Sequence, residues 1–420
     1  MMHLPSRAPG RIFTGWNLAA CIAWIAAFLG MLIHRLGHHS HDLSSHWPAS
    51  LDIFLPAGER WFRGELLYTN WRGFVYSPLA AAAFAALAAL PARVAVVAWL
   101  SLNCAVFLGG FAALLRTTQR WPRERAFHGV AFILLIPLGL GNLDVLQANP
   151  LLIGLLMFAV AGVRTERWIF SAFCIGIATY LKIYPLAIGM LLALVAPPRY
   201  TVALLLALIV MGLATFLFQH ADYVCGQYKM WIVTRAADNR LKYSLKDAPV
   251  DLSFLLVWIG GLPISGVAYR LLEALSGGAA AFLVFLGRRQ SWSRERLLSG
   301  IFCLGAIWMT LFGPATEWFT YILLAPAVVM ATVDAFARPR SAWMRAAVST
   351  AFGLLLWAAF QHSFRPQLKG VWSMAVPPVA ALVFLGYCIV WLLDGGAWRE
   401  PTGDGPVDAL DATHVGVGRR

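Results

Sequence analysis

Apolar residues in this chain come in long unbroken runs rather than in the alternation of a water-soluble fold, and polar residues gather in the intervals between them. Runs able to cross a bilayer cover about residues 12–33, 92–115, 128–141, 150–163, 167–181, 183–196, 200–219, 267–287, 297–313, 317–335, 343–361 and 373–393. Twelve spanning helices are predicted. Several runs fall short of the roughly 20 residues that a lone helix needs. Those helices are expected to be buried in a bundle, extended by polar end turns or set in a thinned bilayer. The predicted fold is all-α, a polytopic transmembrane bundle forming one domain over 1–395 without internal repeats.

A thirteenth run, "PLAAAAFAALAAL" (78–90), is too short to decide by itself, and counting it as a crossing would invert every later loop. Loop charge resolves it. If the run stays on one side, the basic intervals 116–125, 164–167, 288–296 and 338–345 join Arg199 and the basic N-terminus on one face, as the positive-inside bias requires of a cytoplasmic face. The same parity places 34–91 and 220–266 outside. Residues 396–420 are polar and Gly-rich, and a disordered cytoplasmic tail is expected there.

Composition agrees with the pattern: 60% of residues are apolar and 13% charged, with a mean hydropathy of +0.69. The net charge of +13 is spread thinly, which favours anionic membrane lipid over nucleic acid as its counterpart. The first run lacks a following small-residue cleavage site and is expected to be retained. Of six cysteines, all but Cys225 fall in apolar runs, so no disulfide framework is expected.

The first outer interval contains "LDIFLPAGERWFRGELLYTNWRGFVYSPLA" (51–80), a concentration of charges and aromatics in an otherwise apolar protein. Pieces such as "IFLPAGERWFRG" suit helices lying along the membrane interface. Asp52, just ahead of that piece, is open to two readings: a helix N-cap or interfacial carboxylate, or a catalytic base held at the water–membrane boundary. Lys182 interrupts "ATYLKIYPLAI" near the end of a run, where it either snorkels to headgroups or meets an anionic ligand. The second outer interval interleaves Arg235, Arg240, Lys242 and Lys246 with tyrosine and tryptophan, fitting equally a phosphate grip or an interfacial belt. Glu317 and Tyr321, four residues apart, are expected to face one cavity if that stretch is helical, although Glu317 also suits a helix N-terminus. His34, His38, His39, His41 and His46 cluster without a metalloenzyme spacing, which favours a hydrated loop and leaves a divalent metal open.

Several of these stretches, taken in order, resemble glycosyltransferase family 87 of the GT-C superfamily. The first is the Asp52 to Tyr68 segment followed by "FVYSPLA". After it come "LGLGNLDVLQANPLLIGLL" (138–156), "FCIGIATYLKIYPLAIGMLLAL" (173–194) and "FGPATEWFTYILLAPAV" (312–328). The resemblance covers about residues 45–335. It departs at Gly141–Asp144, where relatives often carry Gly-Gln-x-Asn, although Gln147 and Asn149 lie close by, and at Phe319 and Thr320, where some relatives have a His pair.

What the resemblance implies is a GT-C bundle in which a polyprenyl-phosphate-linked sugar, mannose by the family pattern, meets the hydroxyl of a lipid or glycan acceptor outside the cytoplasm. Asp52 would be the base of an inverting transfer. Lys182, Arg235, Arg240, Lys242 and Arg72 are the candidates to face the leaving phosphate, with Tyr76, Gln147, Asn149, Glu317 and Tyr321 as further substrate contacts. No cofactor is implied. The absence of a phosphate-cradling Gly-rich loop or a nucleophile elbow agrees with a lipid-linked donor. A transporter or flippase is the competing class, but such proteins usually place polar groups deep in the bilayer, and here the runs are almost free of charge. A non-catalytic scaffold in envelope assembly would share the architecture.

Overall fold

Every one of the twelve apolar runs folds as helix, and no strand occurs among the described residues. The structure is a computed structural model describing residues 15–38, 50–69, 73–119, 121, 124–237, 239–245, 247–314, 316–364 and 370–398. Arg72, Lys246, His39, His41, His46 and nearly all of the expected tail lie outside the described residues.

The helices follow in order: α1 (Gly15–His38), α2 (Leu51–Arg63), α3 (Pro78–Ala88), α4 (Ala92–Thr118), α5 (Glu124–Asp144), α6 (Asn149–Arg164), α7 (Trp168–Leu181), α8 (Leu186–Val195), α9 (Pro198–Ala214) and α10 (Ala221–Ala237). After these come α11 (Leu252–Phe254), α12 (Gly266–Arg289), α13 (Arg294–Phe312), α14 (Ala325–Ala337), α15 (Ala342–Phe364) and α16 (Val371–Leu393). Eight of them, α1, α4, α5, α9, α12, α13, α15 and α16, are long and apolar enough to cross a membrane. The expectation of twelve is met at this length only by those eight. Helices α6, α7, α8 and α14 have 16, 14, 10 and 13 residues; α6 and α7 fill runs that are themselves short, while the turn at Pro185 and the 3-10 turn after Glu317 shorten α8 and α14. The ambiguous run 78–90 forms the short helix α3.

Burial grades from the centre outward. Helices α6, α13 and α14 are buried along most of their length, while α1, α9 and α12 turn Ile25, Leu205 and Leu275 outward, as helices facing hydrocarbon should. Close approach in the interior depends on missing side chains. A Cβ on Gly110 of α4 would lie 2.4 Å from the Gly154 carbonyl oxygen of α6, so the two helices pack backbone to backbone.

Helix α2 shows how the interval between the first two runs folds. Leu51, Phe54, Ala57, Gly58 and Trp61 are buried on one stripe, the spacing of an amphipathic helix. Gly64, at φ 71°, ends it in the left-handed conformation. A Cβ on Gly58 would sit 2.6 Å from the Phe84 carbonyl of α3. That contact brings Phe54 into a stack on Phe84 with ring centroids 4.3 Å apart.

Candidate active site

The N-terminus of α2 is tied to the turn between α5 and α6: the Ser50 N–H donates to the Val145 carbonyl at 3.1 Å. The Trp99 indole holds the same turn by donating to the Leu146 carbonyl at 2.9 Å. Leu146 itself sits at φ 57°, a left-handed conformation that costs a non-glycine residue about 1–2 kcal/mol. These clamps place Asp52 and Gln147 against one cavity. Ser50 occupies the N-cap position and Asp52 lies in the first turn, so the N-cap reading of Asp52 does not hold.

"YSP" and "YLKIYP" converge at the opposite wall. The Ser77 hydroxyl donates to the Tyr180 carbonyl at 2.5 Å and accepts from Ala80 N–H, capping α3 while fastening it to the end of α7. Tyr76 is thereby brought beside the loop that follows α7. Lys182, first residue of that loop, donates from Nζ to Asn149 Oδ1 at 2.8 Å. Asn149 in turn donates to the Phe319 carbonyl at 3.1 Å and to Asn142 Oδ1 at 3.4 Å. The Lys182 side chain turns inward to this chain, so the snorkelling reading fails.

Helix α10 closes the cavity along a row of residues spaced by four. Gln219 Nε2, just before the helix, donates to the Trp61 carbonyl at 2.7 Å. Tyr223 donates to Glu65 O at 2.6 Å, Gln227 Oε1 accepts from Leu67 N–H at 3.2 Å, and Trp231 Nε1 donates to Val75 O at 3.2 Å. Residues four apart share a helix face. The next member of the row is Arg235, which lines the cavity.

The cavity holds about 360 Å³ and is walled by Asp52, Gln147, Lys182, Tyr184, Trp231, Arg235, Glu317, Tyr76 and Phe319, among others. Two acids and two cations thus share one space walled by aromatic and aliphatic side chains. Burial lowers the Lys182 ammonium to about 8, with the nearby Glu317 working in the opposite direction. Burial, reinforced by Glu317, also raises the Tyr76 hydroxyl and keeps it protonated.

The model of glycosyltransferase family 87 matches residues 74–314, more than half of the chain. The chain belongs to glycosyltransferase family 87. As a member of that family with eight helices long and apolar enough to span, it is a multi-pass membrane glycosyltransferase. No curated protein matches it closely enough to add a nearer relative. The matched segment holds Tyr76, Gln147, Lys182 and Arg235 of this transferase, whereas Asp52 and Glu317 lie outside it, so their place in the site rests on geometry.

Other expected contacts lie elsewhere. Arg240 pairs with the fully buried Asp251 at 2.9 Å and donates to the Phe312 and Gly313 carbonyls, holding the end of α13. Lys242 is exposed and does not line the cavity. Tyr321 donates to the Val250 carbonyl at 2.9 Å and lines a smaller neighbouring cavity. Glu317 and Tyr321 do not share a wall because Glu317 is extended, at φ −110° and ψ 171°, and the turn Trp318–Leu323 after it is 3-10 rather than α. Asn149 is a second layer behind Lys182. Of the histidine cluster, His34 and His38 belong to α1, and His34 Nδ1 lies 3.0 Å from Asp144 Oδ1. Arg35 grips the same carboxylate through two bonds. No group of three metal-ligating side chains occurs among the described residues.

Tyr184, Phe319 and Ser50 line the cavity although sequence reasoning does not single them out as contacts, whereas Trp231 is one of the aromatics interleaved with the cations of 220–266. For Trp231 the signal was present, in the row Gln219, Tyr223, Gln227, Trp231, Arg235. Ser50 and Phe319 arrive through turns whose path no local pattern encodes.

Proposed function

We propose that this transferase moves a hexose, mannose first among the candidates, from a polyprenyl-phosphate-linked donor to a hydroxyl of a lipid or glycan acceptor, outside the cytoplasm. The observation that carries the reading is the single cavity in which the Asp52 carboxylate shares space with the Lys182 ammonium and the Arg235 guanidinium. Asp52 accepts the proton of the acceptor hydroxyl while its oxygen attacks the anomeric carbon. The bond from that carbon to the phosphate oxygen breaks, and polyprenyl phosphate leaves with its charge facing Lys182 and Arg235. One displacement inverts the anomeric centre without a covalent intermediate. Asp52 then returns its proton to solvent.

A route for the hydrocarbon tail supports a lipid-linked donor. Between α1, α5 and α15 lies a groove of about 490 Å³, lined by Ala27, Gly30, Met31, Leu140, Leu356 and Phe360 and, at one place, by the paired His34 and Asp144. Gly141 and Ala359 also line a cavity of about 40 Å³ that has Phe319 in common with the main cavity. A polyprenyl chain in the groove keeps apolar surface from water while its head group reaches the cations.

The test incubates purified protein with polyprenyl-phosphate-mannose and extracted membrane lipids and follows products by mass spectrometry. A product heavier by one hexose is expected. Substrate crossing liposomes without a covalent product would overturn the proposal in favour of transport.

A further inference from the structure

Most tyrosines around the site satisfy their hydroxyls on backbone carbonyls. Tyr68 donates to Tyr76 O, Tyr180 to Leu208 O, Tyr223 to Glu65 O, Tyr228 to Gly212 O and Tyr321 to Val250 O. Tyr184 does not. It lines the main cavity and is 5% exposed, and its buried hydroxyl has no hydrogen-bond partner among the described residues. A buried donor left unpaired weakens a fold, so each such group in a native structure calls for an explanation.

The surroundings supply one. Tyr184 sits in the tight turn between α7 and α8, where its carbonyl accepts from Ala187 N–H at 3.0 Å and Pro185 follows, so the phenol is carried on a stiff piece of backbone. Lys182 Nζ lies 5.8 Å from the centre of its ring. Burial, with Tyr76 and Glu317 nearby, pushes the hydroxyl well above its ordinary value, so it remains a proton donor across physiological pH.

We infer that the Tyr184 hydroxyl is a ligand-binding group that donates to a phosphate oxygen of the lipid carrier, beside the Lys182 ammonium. This rests on the lipid-phosphate donor proposed above. Asn149 already occupies one donor of Lys182, and a phosphate has more acceptor lone pairs than the remaining ammonium protons satisfy. A neutral phenol next to the cation adds a directed bond without adding like-charge repulsion.

The decisive variant is Tyr184→Phe, because it removes one oxygen and keeps the ring. If the hydroxyl waits for a ligand, its loss relieves the empty fold and weakens the complex. Full-length wild type and Y184F in detergent would be titrated with a polyprenyl phosphate that carries no sugar, and separately with the corresponding uncharged polyprenol. The expected result is a Kd for the phosphate raised about ten- to a hundredfold, an unchanged Kd for the alcohol, and a ligand-free Tm equal to or slightly above wild type. An unchanged phosphate Kd in Y184F, or a lowered ligand-free Tm, would overturn the assignment of Tyr184 alone. Wild type that does not bind the phosphate would remove the lipid-phosphate donor itself, and the inference with it.

Discussion

Asp52 and Lys182 carry the chemistry of the proposed transfer, and they make separable predictions. Asp52 lines the cavity from the first turn of α2. Asp52→Asn keeps the shape and removes the base. Transfer is expected to fall by about 10²–10⁴ while Tm and membrane insertion stay at wild type; transfer at the wild-type rate would exclude Asp52 as base. Lys182 is lowered to about 8 by burial. Its ammonium is therefore present below that pH and lost above it, and the donor KM of wild type is expected to rise as pH passes through about 8. Lys182→Met should start from the raised KM and show no such rise, so parallel pH profiles for the two would rule the role out. The sign for stability is opposite: the folded pKa lies below that of the free lysine, so the burial cost acts at low pH and fades as pH rises beyond about 8. Lys182 stood out in the sequence as a charge interrupting an apolar stretch, and Asp52 as a carboxylate just ahead of an amphipathic piece. Arg240 stood out as one of the cations interleaved with aromatics over 220–266 but is held by Asp251, and a cation awaiting an anion cannot be told from one already paired until the partner is located.

At the level of elements, the site is made by short helices fastened to the bundle from outside. Helix α10 lies along the interval between α1 and α4 through its row of side chain to backbone bonds, and α2 is seated on α3 at Gly58. Gly58→Ala must separate those backbones, since its Cβ would stand 2.6 Å from the Phe84 carbonyl. A loss of about 1–3 kcal/mol is expected, the usual cost of overpacking, read as a lowered Tm. Because Asp52 rides on α2, transfer should fall further than the remaining folded fraction explains. A variant with wild-type Tm and transfer would show that α2 and α3 are not closely seated. The amphipathic stripe of α2 was legible along its own length, as was the presence of a helix over 78–90. The use of Gly58 was not, because a glycine marks a close approach without saying to what.

For the whole molecule, the groove between α1, α5 and α15 has a consequence that depends on substrate length. A Cβ at Gly30 meets nothing within 4 Å, and Gly30 lines the groove, so the side chain of Gly30→Trp is expected to occupy it. Donors with long polyprenyl chains are expected to show KM raised several-fold in this variant, and donors whose chains end before the groove should be unaffected. Equal KM changes for long and short chains would place the tail elsewhere.

The amino-acid sequence by itself determined that the chain is a helical membrane protein, where its helices fall, and which charges border them. Those properties follow from the free energy of moving side chains between water and hydrocarbon, which acts residue by residue and leaves a local pattern. The tertiary structure alone decided that Asp52, Gln147, Lys182, Arg235 and Glu317 share one cavity, that Arg240 and Tyr321 are spent on internal bonds, and that the Tyr184 hydroxyl is left without one. These outcomes depend on directional bonds between residues as much as 170 positions apart, such as Asn149 and the Phe319 carbonyl, and no periodicity along the chain records which donor meets which acceptor.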